Sequence, residues 1–480
     1  MAEAVTTMEK QAGSKSESRR MLIGYTSTQM GAGVWKSYFS TYIAMLYTDI
    51  FYFPVILSGI LELLSQFLNW LGGPIFGTIV DRVTFKKGKY WPWIAMGCVG
   101  VAAMYVIIFG IPTFVADPSG LAVVVFILAS VRAVAMPMCD VTLVSVYPKI
   151  AKTPQERSNL AAGKSFGLRM GQTFGGWLTP VILAYFVATM GERRGWFSTA
   201  GVLSVIGVAF YLVFVFILRK SSVEADAIGE KNAIKQRKKV PFAIVLKSLF
   251  TNKALLAMFF FLVIHKFYYF LQTYTGPYFY RYYVQDLRLL GIFTTVKQLT
   301  QIGGVMLGAI SLRWLKDSKR AFVISGIGHI AFLGISALFV GSTYGFIFVS
   351  GLHAFFAGMM EAFILPFFAA ACDFGTWKTG AKADGLNMSI YTLAMSIASA
   401  TSIAARSVML NAIGYDARAY DVAKGILPPE SVLTFFANLQ ALYPFVLSIV
   451  CVLIVWFFFP LNDNKLKDIR EELKHREATA

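Results

Sequence analysis

"LNWLGGPIFGTIVDRVTFKKGKYWPWI" runs from Leu68 to Ile94. A long apolar run ends at Asp81-Arg82, and Lys86, Lys87 and Lys89 follow. Tyr90, Trp91 and Trp93 then open another apolar run. Apolar helix, basic turn, apolar helix is a hairpin through a bilayer whose cations stay in the turn. Asn69, Gly72 and Gly73 interrupt the first run just where a buried functional acid would be expected.

The rest of the chain extends this pattern. Its 480 residues are 56% hydrophobic and only 15% charged, against about 25% charged in an ordinary soluble protein. Mean hydropathy is +0.61. Apolar runs of roughly 20 residues, enough to cross the hydrocarbon core, recur throughout. The net charge of +18 would suggest nucleic acid in a soluble protein. Here the cations gather in loops, so they report topology and no nucleic-acid partner is expected. Cys98, Cys139, Cys372 and Cys451 lie in apolar segments without pairing or metal-ligand spacing. The first 20 residues are polar and read as holding no signal peptide.

The runs predict an all-α polytopic membrane protein with twelve spans: 22–47, 53–80, 91–113, 120–147, 158–186, 196–218, 254–280, 288–314, 321–340, 344–372, 385–413 and 433–460. Alternate loops are basic, with Arg82, Lys86, Lys87 and Lys89, then Lys149, Lys152 and Arg157, then Lys316, Lys319 and Arg320. The positive-inside rule therefore places both termini in the cytoplasm. A polar, basic segment, 219–241, reads as a cytoplasmic linker between an N-terminal six-helix bundle (1–218) and a C-terminal one with a cytoplasmic tail (242–480). The opening stretch also has a weak copy. "GGPIFGTIVDR" at Gly72 resembles "GGVMLGAISLR" at Gly303. Parallel halves of this kind are the signature of the major facilitator fold, which binds substrate between its halves. Gly73 and Gly77, Gly304 and Gly308, and the series Gly163, Gly167, Gly171 and Gly175 read as helix-packing stripes.

Charges at membrane depth cost on the order of 3 kcal/mol each and point to function. The sequence places Lys36, Glu62, Arg132, Asp140, Lys164, Arg169, His265, Lys266, Lys297, Glu361 and Arg406 inside spans. Glu62, Lys297 and Arg406 lie near the outer ends and are expected to snorkel. Arg132 and Asp140 are about 12 Å apart along one helix and are not expected to touch. Asp140 and Glu361 are the leading functional candidates, each near a helix-bending proline, Pro137 and Pro366. Several enzyme motifs are missing from the sequence: it has no HExxH, P-loop or CxxC. The histidines, His265, His329, His353 and His475, show no ligand-like spacing. The stretch "HKFYYFLQTYTGPYFYRYY" from His265 reads equally as a lipid-facing belt or a sugar-stacking surface.

Four stretches carry a family resemblance: "YTDIFYFP" at Tyr47, "GPIFGTIVDRVTFKKGKYWPWI" at Gly73, "YPKIAKTPQERSNLAAGKSFG" at Tyr147 and "DFGTWKTGAKADGLNMSIYTLAMSIA" at Asp373. Together with Gly414-Tyr415 they resemble, in order and along the whole chain, the glycoside–pentoside–hexuronide cation symporters of the major facilitators. The resemblance implies that Asp140 falls on a sugar-anchoring aspartate. It puts Gly33 on or near a helix 1 aspartate, and Asn69 and Gly73 on two aspartates that bind the coupling cation. Ser396 takes the place of a lysine, Lys164 or Ser165 that of an arginine, and a sugar-contacting tryptophan falls near Glu361.

These readings converge on a secondary transporter for a sugar, glycoside or sugar acid, such as an anionic hexuronide. Asp140, Lys164, Arg169, Glu361, Lys36, Lys266 and Tyr274 are its substrate-binding candidates. Glu361 and Asp140 are the candidate proton carriers. Asp81 with Arg82, and Asp373 with Lys378, are expected as gate and hinge contacts. No cofactor, metal or sodium site is expected, and the protein is read as a monomer in a lipid bilayer, the bacterial inner membrane. An amphiphile transporter, or a channel or sensor on the same scaffold, are the alternatives.

Overall fold

The computed structural model describes residues 2–85, 88–115, 118–151, 153–229, 249–315, 317–379, 386–420 and 422–479. Most of the expected linker, and the side chains of Asp81 and Arg82, lie outside the described residues. The chain forms two compact units, residues 1–236 and 237–480, apart from the short segment Asp416–Arg418, which groups with the first. Among the described residues the secondary structure is helical except for isolated bridge pairing such as Phe85 with Gly88.

In the first unit the leading helix is α1 (Ala2–Trp35), a π-turn at Lys36–Ser40, α2 (Thr41–Met45) and a second π-turn at Leu46–Ile50. There follow α3 (Val55–Arg82), α4 (Trp91–Phe114), α5 (Ala122–Ile150), α6 (Pro154–Met190), α7 (Glu192–Arg219) and the short α8 (Ser222–Gly229). The start of α6 is written in "TPQE": Thr153 accepts from the Glu156 backbone N–H, Glu156 accepts from the Thr153 N–H, and Pro154 fills the first turn. That is a capping box with its proline where no donor is lost.

The second unit holds α9 (Lys253–Tyr278), which runs into a π-turn at Phe279–Tyr283, and α10 (Arg288–Leu315). Then come α11 (Ser318–Leu338), α12 (Thr343–Thr379), α13 (Leu386–Ala412), α14 (Glu430–Gln440), α15 (Leu442–Phe458) and α16 (Asp463–Thr479). Ten described helices are long and apolar enough to cross a membrane. The two other expected spans are also helical. They are too polar to register by composition, because the first carries Thr28, Gln29 and Lys36 and the eighth Lys297, Gln298 and Gln301.

The repeat seen in the sequence extends to the packing. Within the first unit α1 packs on α6 and α7, α3 on α5, and α4 on α7. Within the second, α9 packs on α13 and α15, α10 on α12, and α11 on α15. This is the same pairing shifted by six spans. Each leading helix also ends in the same way. A π-turn is followed two residues later by a non-glycine residue at positive φ, Tyr52 (57°) and Gln285 (60°). Such backbone is uncommon outside glycine, so its recurrence marks two copies of one design.

The glycine stripes are only partly as expected. A Cβ at Gly171 would overlap the Met30 carbonyl, and one at Gly304 would overlap that of Phe355. The α6 stripe is therefore the bed for α1, and the α10 pair the bed for α12. Gly73 is different: a Cβ there meets nothing within 4 Å, and at Gly77 only Val141, at 3.7 Å. The close contact in the opening stretch falls instead to Gly72, against Pro137 of α5 at 2.8 Å.

Half of the rings in the aromatic stretch after His265 are packed inside the unit. Tyr268, Tyr278, Tyr280 and Tyr282 are at most 3% exposed. Tyr278 and Tyr282 stack on Phe436 of α14, and Tyr415 donates from its hydroxyl to that of Tyr282 at 3.1 Å. Burial of rings on every side of the helix made the periodicity uninformative.

Candidate functional site

The first unit gathers charge around Asp140. This residue sits on α5 three residues past Pro137, with its side chain exposed. Lys36 and Lys164 are the cations that act on it electrostatically. Lys36 opens the first π-turn, where a widened helical turn redirects a side chain. Lys164 is exposed on α6. Arg169 is half-buried one turn further on. Asp140, Lys36 and Lys164 thus lie within electrostatic reach of one another. Arg132 belongs elsewhere. It donates to the Tyr105 hydroxyl at 3.2 Å and lies over that ring, and both Arg132 and Glu62 act on Tyr47.

The second unit has a tighter cluster. Lys266 of α9 and Glu361 of α12 form an ion pair at 3.6 Å, with side chains 8% and 24% exposed. Gln301 of α10 donates to the same carboxylate at 2.9 Å, and Lys266 also lies over the Tyr269 ring. Beside it, Lys297 donates to the Gln272 side-chain oxygen at 3.3 Å and faces the Phe293 ring. Gln272 in turn donates to the Gln440 carbonyl at 2.6 Å. Tyr274 shares a hydrogen bond with Ser399 at 3.2 Å and carries Arg406 over its ring.

Two expectations are corrected here. Arg406 is 1% exposed, and Lys297 is bonded within the bundle, so neither snorkels. Sequence position does not give the direction a side chain faces. Asp373 does not meet Lys378, whose side chain is exposed. Its partner is Arg470 of the tail helix α16, at 2.9 Å. Trp377 and Arg476 extend that contact, Trp377 donating to Glu472 at 2.6 Å and Arg476 to the Trp377 carbonyl at 2.9 Å. The side chains of Asp81 and Arg82 lie outside the described residues, so the other expected gate pair is not placed.

Residues 24–463 match the family described as MFS/sugar transport protein. The chain belongs to this family. Within it, the chain groups with the glycoside–pentoside–hexuronide symporters. It is 24% identical over 410 residues to the isoprimeverose transporter of Lactiplantibacillus pentosus, covering 82% of this chain and 80% of that one. It is 23% identical over 465 residues to a putative sulfoquinovose importer of Escherichia coli (strain K12), covering 95% and 94%. Among solved structures, a bacterial homologue of the iron transporter ferroportin in an inward-facing state matches with a TM-score of 0.61 at 12% identity, covering 93% and 99%. That likeness establishes the major facilitator fold.

Against the MFS sugar-transport family, the positions that the resemblance marks for coupling-cation carboxylates hold none. A Cβ at Gly33 would overlap the Leu168 carbonyl, so the α1–α6 contact leaves no room for a side chain there. Asn69 is half-buried and Gly73 is open. Among the described residues no group of three or more His, Cys, Asp or Glu side chains could hold a metal ion.

Proposed function

We propose that this MFS sugar-transport protein imports a sugar, glycoside or sugar acid across the bacterial inner membrane by alternating access, without sodium, with both termini in the cytoplasm. The observation that carries the reading is the Lys266–Glu361–Gln301 cluster. It supplies a membrane-depth carboxylate whose charge is balanced by one cation, while Gly33, Asn69 and Gly73 offer no carboxylate to a sodium ion. A cation needs several oxygen ligands with charge among them. A lone amide would leave it desolvated without compensation. A carboxyl balanced by a neighbouring lysine can instead exchange a proton, because protonation releases the lysine for another anion.

In the N-terminal unit Asp140 accepts hydrogen bonds from substrate hydroxyls, and Lys36, Lys164 and Arg169 supply the cations for an acidic group. That cationic excess favours an anionic sugar. A relative named for sulfoquinovose, a sulfo-sugar, fits this preference. The test is uptake of a glucuronide and of isoprimeverose into proteoliposomes, with sodium replaced by choline at fixed pH. Uptake should persist without sodium, and the glucuronide should compete better than its neutral analogue. Loss of uptake in choline would overturn the sodium-free reading.

A further inference from the structure

The sequence spreads His265, His329 and His353 over three helices with no common spacing. The fold brings them together. His265 Nδ1 lies 2.7 Å from the Tyr268 hydroxyl, and that hydroxyl lies 3.1 Å from His329 Nε2. His329 Nδ1 reaches the His353 backbone carbonyl at 2.9 Å. All four residues are buried. His353 stands against the His329 ring at 5.4 Å between centroids, and its Nδ1 is buried without a hydrogen-bond partner.

The chemistry of each atom fixes the direction of the chain. A carbonyl oxygen only accepts, so His329 Nδ1 carries a hydrogen. While His329 is neutral its Nε2 holds a lone pair, and Tyr268 donates to it. The tyrosine oxygen then accepts from His265 Nδ1–H. What remains is a lone pair on His265 Nε2, which makes no hydrogen bond among the described residues. His265 is adjacent in sequence to Lys266, and Lys266 and Glu361 are among the charges that act on it.

We propose that His265, Tyr268 and His329 form a buried two-position proton store serving the Lys266–Glu361 pair, with His265 Nε2 as the entry point. It rests on the proton-coupled reading of the Glu361 site. In the first position a proton donated by hydronium or by a protonated Glu361 forms an N–H bond at His265 Nε2, and the donor's O–H bond breaks. In the second, the His265 Nδ1–H proton passes to the Tyr268 oxygen while the tyrosine's own proton passes to His329 Nε2. Every electron pair stays on its atom, and one positive charge moves from His265 to His329, whose rings are 6.4 Å apart. The far end is closed by the His353 carbonyl, so the proton leaves by the way it came. This is storage rather than conduction through the bundle.

The surroundings suit this role. On α9 the neighbouring charge is Lys266; α12 presents Glu361 and His353; α10 presents Lys297, which acts on His329 and His353. From α15 comes Cys451, whose thiol donates to the Phe261 carbonyl at 3.9 Å. The α13 cation, Arg406, faces Tyr274, and α14 offers the uncharged Gln440. Glu361 is the one carboxylate in this set, so the store and the ion pair draw on the same anion.

The direct test is nitrogen-15 magnetic resonance of the full-length, histidine-labelled protein in nanodiscs, with rings assigned by single His→Asn variants. At alkaline pH both His265 and His329 should carry their proton on Nδ1. On acidification one added proton should be shared between the two rings, and Tyr268→Phe should confine it to His265. A proton on His329 Nε2 in the neutral form, or titration of the two rings unaltered by Tyr268→Phe, overturns the proposal. The functional test drives glucuronide or isoprimeverose uptake with a pH gradient at zero membrane potential. One pH unit should give about tenfold accumulation for one proton per substrate, and His265→Asn should abolish it. Asparagine keeps a donor towards Tyr268, so a purely structural histidine predicts full accumulation in that variant while a proton carrier predicts none. If the wild type does not respond to the gradient, the proton reading of Glu361 fails and the store with it. If the wild type responds and His265→Asn responds equally, only the store fails.

Discussion

Removing both members of the Lys266–Glu361 pair should cost less than the two single removals added together. The two charges are 3.6 Å apart, and less than a quarter of either side chain is exposed. With an effective dielectric near 20, their attraction is about 4–5 kcal/mol. Deleting one partner leaves the other charge buried without compensation, a loss of about 3–5 kcal/mol. In Glu361→Gln the amide can still face Gln301, so the unpaired Lys266 ammonium dominates the cost. In Lys266→Met the carboxylate keeps its bond from Gln301, so the expected loss is smaller, about 3 kcal/mol. The double variant carries no net buried charge and should recover about 2 kcal/mol relative to the sum of the singles. Reversible denaturation of the purified protein in mixed micelles measures all three, and uptake should fall in every one. Strictly additive losses would refute the pairing, as would single variants as stable as the parent.

Further tests address the rest of the framework. Gly171→Val should destabilise by about 1–3 kcal/mol or abolish expression, by forcing α1 off α6, while Gly73→Ala, facing open space, should melt like the parent. Asp140→Asn should abolish sugar uptake with little change in melting, because the side chain is exposed and its proposed role is to accept from substrate. Glu224 on α8 accepts from the backbone N–H groups of Lys89 and Tyr90, the latter at 2.8 Å, just before α4. Burial raises its carboxyl above the usual 4.5, although those N–H groups pull it down. A raised folded-state pKa means the folded protein holds the proton more tightly than the unfolded chain. Its contribution is therefore full below pH 4.5 and fades as pH rises through the folded value. Glu224→Gln should flatten the melting profile over that window, and an unchanged profile would remove Glu224 as its source.

The twelve spans and the two-fold repeat were legible in the sequence because both depend on quantities it carries linearly: apolar run length, loop charge and a short glycine motif. Lys36 and Lys164 act electrostatically on Asp140, a relation that their separate positions in the sequence do not show. Rotation about each helix was not legible either. Arg406, expected to snorkel near a span end, is almost fully buried, and Tyr278 and Tyr282 of the aromatic run pack against Phe436 of α14. No motif announces the π-turns at Lys36 and Leu46. The same holds for the His265–Tyr268–His329 chain. Its members are joined by hydrogen bonds across α9 and α11, and nothing in their spacing relates them.

The empty carboxylate positions and the Glu361 cluster have a common physical explanation. The resembled family places its acids for the coupling cation on the first two spans, and an acid on the first span needs room beside its neighbour. Here Gly33 is pressed against the backbone of α6 at Leu168 and Gln172, so α1 and α6 pack backbone to backbone and a carboxylate at that position is sterically barred. An aspartate restored at Gly73 alone would fit, since that site is open, but it would stand beside Asn69 without a second charge. Gly73→Asp should therefore fold and still show no sodium-dependent uptake. Gly33→Asp should fail to fold, because its side chain must displace α6. On this reading the close α1–α6 seam excludes the sodium site, and the carboxylate available for coupling is the one that α12 places beside Lys266. Sodium-stimulated uptake by Gly73→Asp would show that a single acid suffices, and that packing at Gly33 is not what keeps the ion out.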